Sequence, residues 1–330
     1  MGDPAGIGPE IVLKLLVRHA APSGPDKSTI KGVTAATSFI VYGDPGLLAR
    51  EARRLGLNPE RLSIRACSAL PGDLPLGSID PRAGEAAFLA VQAATRDAMA
   101  GKVRAVVTAP LNKEALNLAG FHYPGHTEIL AEMAGRVPVR MMLANHELRT
   151  VLVTIHQPLR QAIDALSIDL VAETIRLTDR HLRTSGFAAP RIAVAGLNPH
   201  AGEGGLMGSE EIDILVPAIE GARRKGIDAT GPYAPDTVFM RARGFVDFDV
   251  VIAMYHDQGL IPVKYLGLEE GVNITIGLPF VRTSPDHGTA FDIAGQGKAD
   301  TRSLAAAIRM ADQMSRQAGN GTFSLSAEPT

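Results

Sequence analysis

Short apolar runs that halt on polar, chemistry-bearing residues constrain this chain more than any other feature. Val251–Met254 reads as a buried strand, and Tyr255-His256-Asp257-Gln258-Gly259 follows where such a strand must stop. Two earlier runs repeat the pattern. Val151-Leu152-Val153-Thr154-Ile155 ends at His156, and Ile192-Ala193-Val194-Ala195-Gly196-Leu197 leads into the loop that carries His200. Amphipathic helical stretches alternate with these runs, so the expected fold is α/β with a largely parallel sheet core. In open sheets of that kind, ligands sit just outside the carboxyl ends of the strands. All three histidines occupy such places.

The N-terminal stretch Gly2-Asp3-Pro4-Ala5-Gly6-Ile7-Gly8-Pro9-Glu10 is a glycine turn leading into a helix, with Ile11, Val12, Leu15 and Leu16 as its apolar stripe. Such a turn can hold an anion or can be plain structure. The preceding strand that a dinucleotide or P-loop fingerprint requires is not in this chain. Strands are expected at Ser38–Tyr42 and Val103–Thr108, and helices at Pro45–Leu55 and Glu85–Ala100, the second with a small-residue face. Pro71–Pro81 reads as a connection. Lys113 is either a substrate contact or part of the first turn of the next helix. Phe121–Glu128 reads as a loop in which His126 and Thr127 offer an imidazole and a hydroxyl to a small polar ligand, unless His126 is an ordinary surface residue.

Pro158 is expected to hold the backbone at His156-Gln157 extended. A helix over Asp169–Ser185 and a strand over Arg191–Leu197 follow. Asn198–Gly205 reads as a loop rich in backbone freedom, Ser209 as a helix cap, and Gly231–Thr237 as a rigid loop that places the Asp236 carboxylate. Leu304, Ile308 and Ala311 stripe the final helix, and the polar tail from Gly319 is expected to fray.

At 330 residues two domains are the expectation, and 45% hydrophobic with 21% charged residues is ordinary for a globular enzyme. A net charge of −2 and the lack of Trp argue against a nucleic-acid partner. The single cysteine, Cys67, excludes a disulfide framework and a thiolate zinc site, and reads as a packed small residue. No apolar run reaches the roughly 18 residues that span a bilayer, and the start has no signal-peptide pattern, so a cytoplasmic enzyme with no membrane partner is expected.

From the residues alone, His156, His200 and His256 could supply the three protein ligands of a catalytic zinc site, although one or two of them could equally be hydrogen-bonded structural histidines. Lys264 and Arg282 flank Asn273 in a Gly/Pro-rich apolar stretch, which points to a phosphate or carboxylate site more than to surface ion pairs. Two rival classes stand beside this. Ser284, Asp286 and His287 lie close in sequence, but no Gly-x-Ser-x-Gly elbow accompanies them as a hydrolase of that type needs. A binding module without catalysis is the other rival, and it has no need of three histidines and two cations.

Seven motifs, in the same order nearly end to end, resemble the 4-hydroxythreonine-4-phosphate dehydrogenase family of vitamin B6 biosynthesis. They are GDPAGIGPE (2–10), TAPLNKE (108–114), YPGHTE (123–128), HQPL (156–159), LNPHAGEGG (197–205), MYHDQG (254–259) and GVNITIGLPFVRTSPDHGTAFDIAG (271–295). HGTAFDIAG also looks like the cofactor loop of isopropylmalate dehydrogenase.

The resemblance implies a two-domain isocitrate/isopropylmalate dehydrogenase-like subunit with a cleft between its domains. Residues 1–135 with 275–330 would form the first domain, and 136–274 the second, which carries the metal ligands and dimer interface. It implies a homodimer with the active site at the subunit interface. His156, His200 and His256 match metal-ligand positions drawn from both subunits, for Zn, Mg or Co. His126, Thr127, Lys264, Asn273 and Arg282 match substrate-binding positions. NAD or NADP is placed near His287, Gly288, Thr289, Ala290, Asp292 and Gly295. Lys264 and Asp236 are the candidates for proton transfer.

The implied reaction oxidises a small phosphorylated hydroxy acid, 4-phosphohydroxy-L-threonine, to a β-keto acid that decarboxylates to 3-amino-2-oxopropyl phosphate. Side branches of the family act on 4-phospho-D-threonate, 4-phospho-D-erythronate or aromatic cis-dihydrodiols. The family also has a strand just before the Gly2–Glu10 motif, so either the start here is trimmed or the sheet lacks that strand.

Overall fold

A computed structural model describes residues 1–20, 30–33, 37–60, 62–267 and 270–318. The chain divides into two compact units. One comprises Met1–Val137 and Leu278–Ser315, and the other is built on Pro138–Gly277.

The first unit opens with α1 (Gly8–Ala20), β1 (Ile40–Gly43), α2 (Pro45–Arg54), β2 (Ser63–Ala66), α3 (Pro81–Met99), β3 (Ala105–Val107), α4 (Lys113–Leu118) and α5 (His126–Met133). Local chemistry sets several of these starts. The Asp44 side chain accepts from Leu47 N, Asp80 from Arg82 N and Asn112 from Ala115 N. Each such cap is worth about 1 kcal/mol. Asp80 followed by Pro81 starts α3 four residues ahead of the Glu85 expected from apolar spacing, because a capped first turn needs no apolar contact. Lys113 is the first residue of α4.

The second unit comprises β4 (Arg140–Ala144), β5 (Arg149–Leu152), α6 (Leu159–Asp164), α7 (Ile168–Thr184), β6 (Ile192–Ala195), α8 (Val216–Arg224), β7 (Ala229–Tyr233), α9 (Val238–Ala242), β8 (Val250–Ala253), α10 (His256–Tyr265) and β9 (Val272–Ile276). The chain then supplies β10 (Val281–Pro285) and α11 (Arg302–Ala318).

In the second unit the strand order is β9-β4-β5-β8-β6-β7. β5, β8, β6 and β7 run parallel, and β4 is antiparallel to both its neighbours. β6 and β8 are buried at every residue, as expected for parallel strands covered on both faces. In the first unit β10 pairs in parallel with β3, and β1 with β2. Its core gathers Ile11, Leu13, Leu48, Leu304 and Ile308. A cavity of about 340 Å³ lies there, lined by residues of β1 and β3 and by Met1, whose amino group donates to Tyr42 O at 3.0 Å. No strand is assigned to residues 1–7.

Four local expectations need correction. Gly231, Pro232 and Tyr233, expected within a rigid loop, instead end β7, where pairing with β6 extends to Tyr233. His126 and Thr127 lie in the first turn of α5, not in a loop, because Gly125 ends the irregular stretch. His156 is not on extended backbone: its φ is 29°, so the restriction from Pro158 stops at Gln157. Ser209 does not cap a helix. Its hydroxyl donates to Asp213 Oδ2 at 2.5 Å, and a π turn at Glu211–Leu215 precedes α8. The expected fraying from Gly319 lies outside the described residues. No described helix is long and apolar enough to cross a membrane.

Candidate functional site

In the second unit, β5, β8 and β6 are consecutive parallel strands, and their carboxyl ends lead to His156, His256 and His200 respectively. The rings of His156 and His256 come together, 5.6 Å between centroids and tilted by 42°. His256 Nδ1 lies 2.7 Å from Asp257 Oδ1, which leaves Nε2 as the ring nitrogen for another partner. His156 and His200 are exposed and His256 half-buried. Among the described residues no group of three His, Cys, Asp or Glu side chains is arranged to hold a metal ion. One chain therefore assembles the pair and not the trio.

Side chains that sequence reading passed over lock these strand ends. Thr154 Oγ1 donates to Met254 O at 2.8 Å, tying the end of β5 to the end of β8. Buried Gln258 accepts from Met254 N at 2.6 Å and donates to Gly196 O at 2.7 Å, tying β8 to β6. A Cβ on Gly259 would stand 2.5 Å from Leu152 Cδ2, so only glycine lets α10 seat this closely on β5.

The His200 loop is unusual. His200, Ala201, Gly202, Glu203 and Gly204 all have positive φ, 44° to 77°, which is a left-handed turn. Non-glycine residues pay roughly 1–2 kcal/mol each for that conformation. Buried Glu211 holds the loop, accepting from Leu197 N and Asn198 N at 2.8 Å and from Asn198 Nδ2 at 2.9 Å. Backbone strain of this kind, at His156 and His200 both, concentrates at functional sites. The signal for Glu211 was present only as an acid in the Ser209-Glu210-Glu211 run.

The remaining candidates of this unit lie on separate elements. Asp236 is exposed in the turn between β7 and α9. Lys264 is half-buried in the last turn of α10, roughly two turns beyond His256. Asn273 sits on β9. Its Nδ2 contacts Met141 Sδ at 3.0 Å, and its buried Oδ1 has no hydrogen-bond partner.

The first unit holds a second cluster. Arg282, on β10, is 3% exposed and donates to Thr108 Oγ1 at 2.7 Å. Burial pulls its pKa down to about 10, opposed by Glu128, so it stays cationic at neutral pH. Burial, and after it the charges of Arg282, the chain's amino group and Lys113, holds His126 well below the usual histidine range. Its imidazole is therefore neutral, and its buried Nε2 makes no hydrogen bond. A buried polar atom left unpaired costs roughly 1–3 kcal/mol, an expense explained if a ligand completes it.

The loop after β10 carries His287, whose Nδ1 lies 3.0 Å from Gly288 O and whose buried Nε2 has no partner. Ser284 is buried in β10, and no hydrogen bond joins it to that ring, so the Ser–His pair of a hydrolase is not formed. A Cβ on Gly288 would meet nothing within 4 Å, and Ala290 has φ 43°. Asp292 is exposed. An unpaired ring nitrogen, open backbone and an exposed carboxylate able to accept from a ribose hydroxyl form a lining that fits a dinucleotide.

Comparison with known proteins agrees over most of the chain. A family profile described as pyridoxal phosphate biosynthetic protein PdxA matches residues 35–311. The chain is 52% identical over 329 residues to the 4-hydroxythreonine-4-phosphate dehydrogenase of Beijerinckia indica, covering 95% of this chain and 93% of that protein. It is 45% identical to the D-threonate 4-phosphate dehydrogenase of Salmonella typhimurium, covering 95% and 97%. A crystal structure of 4-hydroxythreonine-4-phosphate dehydrogenase from Klebsiella pneumoniae is similar with a TM-score of 0.82 at 43% identity, covering 96% of this chain and 98% of that one. Histidines beyond adjacent parallel strand ends, a buried arginine beside an unpaired imidazole, and these end-to-end similarities converge: the chain belongs to the PdxA family of pyridoxal phosphate biosynthetic proteins.

Proposed function

We propose that the protein is a metal-dependent dehydrogenase that oxidises 4-phosphohydroxy-L-threonine with NAD or NADP. The β-keto acid formed loses CO₂ to leave 3-amino-2-oxopropyl phosphate. The observation that carries this reading is the His156–His256 pair at the ends of two directly paired parallel strands. The donor set fits a divalent ion such as Zn, Mg or Co: two imidazoles, one of them oriented by the Asp257 carboxylate. We assign the third ligand to His200 of the partner subunit in a homodimer. Exposed Leu206, Met207 and Ile212 around the His200 loop, and Ile261 and Tyr265 on α10, support a covered surface there.

In this reading, Arg282, Lys113 and the N-terminal turn of α5 grip the phosphate, with His126 and Thr127 completing its hydrogen bonds. The Asn273 Oδ1 atom and Lys264 orient the amino-acid end. We assign removal of the hydroxyl proton to Lys264 or Asp236, while the carbinol hydrogen leaves as hydride. A bound ion held by the histidines would supply Lewis acidity, and a dinucleotide at residues 287–295 would supply the hydride acceptor. The bond to the carboxylate then breaks, CO₂ departs, and its electron pair forms the enolate that is protonated at carbon. Residues 287–295 are the proposed cofactor loop.

The similarity to D-threonate 4-phosphate dehydrogenase favours one second reading, the same chemistry on 4-phospho-D-threonate. An assay of reduced nicotinamide formation with both substrates decides between them. Turnover of neither, with metal and either dinucleotide present, would overturn both.

A further inference from the structure

The glycine turn at Gly2–Glu10 takes no part in the function proposed above, yet it is built into the residues that follow His287. Glu10 is 1% exposed, and its carboxylate points at main chain far away in sequence. Oε1 accepts from Ala299 N at 2.8 Å, and Oε2 from Gly297 N at 3.2 Å. Lys14 Nζ donates to Glu10 Oε1 at 2.7 Å and also to Gly297 O at 2.7 Å and Ala299 O at 3.0 Å. Arg54 donates to Gly295 O and, at 3.5 Å, to Glu10 Oε2.

The other end of the same loop is clipped as well. Ile7 N donates to Thr289 O at 3.0 Å. Gly6 must be glycine for this approach, since a Cβ there would stand 2.8 Å from Thr289 O. The span from Ala290 to Ala294, with its strained φ at Ala290 and exposed Asp292, is thus stretched between two anchors on one turn and helix.

We infer that Glu10, acting with Lys14, is a positioning residue that presets the 287–299 loop for the dinucleotide. This rests on the reading of that loop as the cofactor site. A carboxylate shared between two backbone N–H groups and an ammonium makes charge-assisted bonds, which are shorter and stronger than neutral ones. A loop fixed before binding does not have to be ordered by the ligand, so its fixation shows as affinity.

Glu10→Gln keeps the shape but turns an amide N–H₂ toward a backbone donor and removes the charge that draws Lys14. Calorimetric titration of NAD⁺ or NADP⁺, whichever the wild type binds more tightly, should show about tenfold weaker binding, with KM for that dinucleotide raised alike and kcat within about twofold. The KM of the phosphorylated substrate should not change. Lys14→Met removes the other half of the clamp from a partly exposed position, and it carries the test if Glu10→Gln fails to fold. Asp292→Ala serves as the control on the loop itself. Weaker dinucleotide binding in Asp292→Ala with unchanged binding in the two clamp variants would overturn the inference and leave the cofactor reading standing. Unchanged binding in all three variants would remove the cofactor reading and the inference with it. Equal losses in kcat and in both affinities would mark the clamp as general structure and also overturn the inference.

Discussion

The imidazoles of His156 and His256 face each other at 5.6 Å because β5 and β8 pair in parallel register, Leu152 opposite Ala253, and Thr154 stitches the two strand ends together. Neither ring is packed into the core, and the backbone at His156 is held at an unfavourable φ. A ring placed at such expense and left exposed is arranged for a ligand rather than for stability.

Replacing either histidine should therefore cost metal and spare the fold. His156→Ala and His256→Ala are expected to lose bound zinc by elemental analysis while the metal-free protein melts as the wild type does. Asp257→Asn should weaken metal binding by about 10–100-fold, since the orienting carboxylate becomes an amide. Full metal occupancy in both alanine variants would reject the site.

Glu211 tests the His200 loop. Glu211→Gln keeps one oxygen for Leu197 N and Asn198 N but sets its amide N–H₂ against Asn198 Nδ2, which now donates to the second carboxylate oxygen. A loss of about 1–3 kcal/mol in urea unfolding is expected. Because Glu211 accepts both main-chain N–H groups that lead into the left-handed turn, activity should fall by at least about tenfold. A variant with lowered stability and wild-type kcat would separate the loop from the reaction.

Arg282 tests the phosphate grip. Arg282→Met removes a buried cation that donates to Thr108 Oγ1. The KM for the phosphorylated substrate should rise on the order of 10–100-fold, as for loss of a charged hydrogen bond. Competitive inhibition by inorganic phosphate should weaken in step. Unchanged inhibition would move the phosphate elsewhere.

The pH dependence of stability has a definite sign at His181. Burial, then Arg149, lowers its pKa to about 4 in the folded protein. The unfolded chain binds that proton near the ordinary histidine value of 6.5, so the unfolded state holds more protons between pH 6.5 and 4. Stability present above pH 6.5 is thus lost as pH falls through this window. Asp3 acts oppositely: burial raises its pKa to about 6, which favours the folded state on the acid side. The test is therefore a difference between proteins. His181→Gln should lose less stability than the wild type between pH 7 and pH 4.5, by urea titration at both values. Identical losses would mean the ring is hydrated in solution.

Much of the fold was legible because it depends on neighbours in the chain. Apolar runs such as Val250–Ala253 announce buried strands, and pairs such as Asp80-Pro81 or Asp44-Pro45 announce helix starts by satisfying free N–H groups. The chemistry of the site was legible as residue types: three histidines beyond strand ends, with Lys264, Asn273 and Arg282 nearby in the chain. Which elements would carry those last three was not legible from their spacing. They lie on α10, β9 and β10, and the two compact units part between Asn273 and Arg282.

Sequence alone determined which segments become strands and helices, since hydrophobic period and capping act over a few residues. It also determined which side chains can hold a metal, a phosphate or a proton, since that is a property of the side chain itself. Only the tertiary structure decided that β5, β8 and β6 lie side by side, that Glu211 bends the His200 loop left-handed, and that Glu10 clamps main chain nearly three hundred residues away. Strand order and hydrogen bonds between distant residues depend on how the whole core closes, and no local spacing encodes that closure.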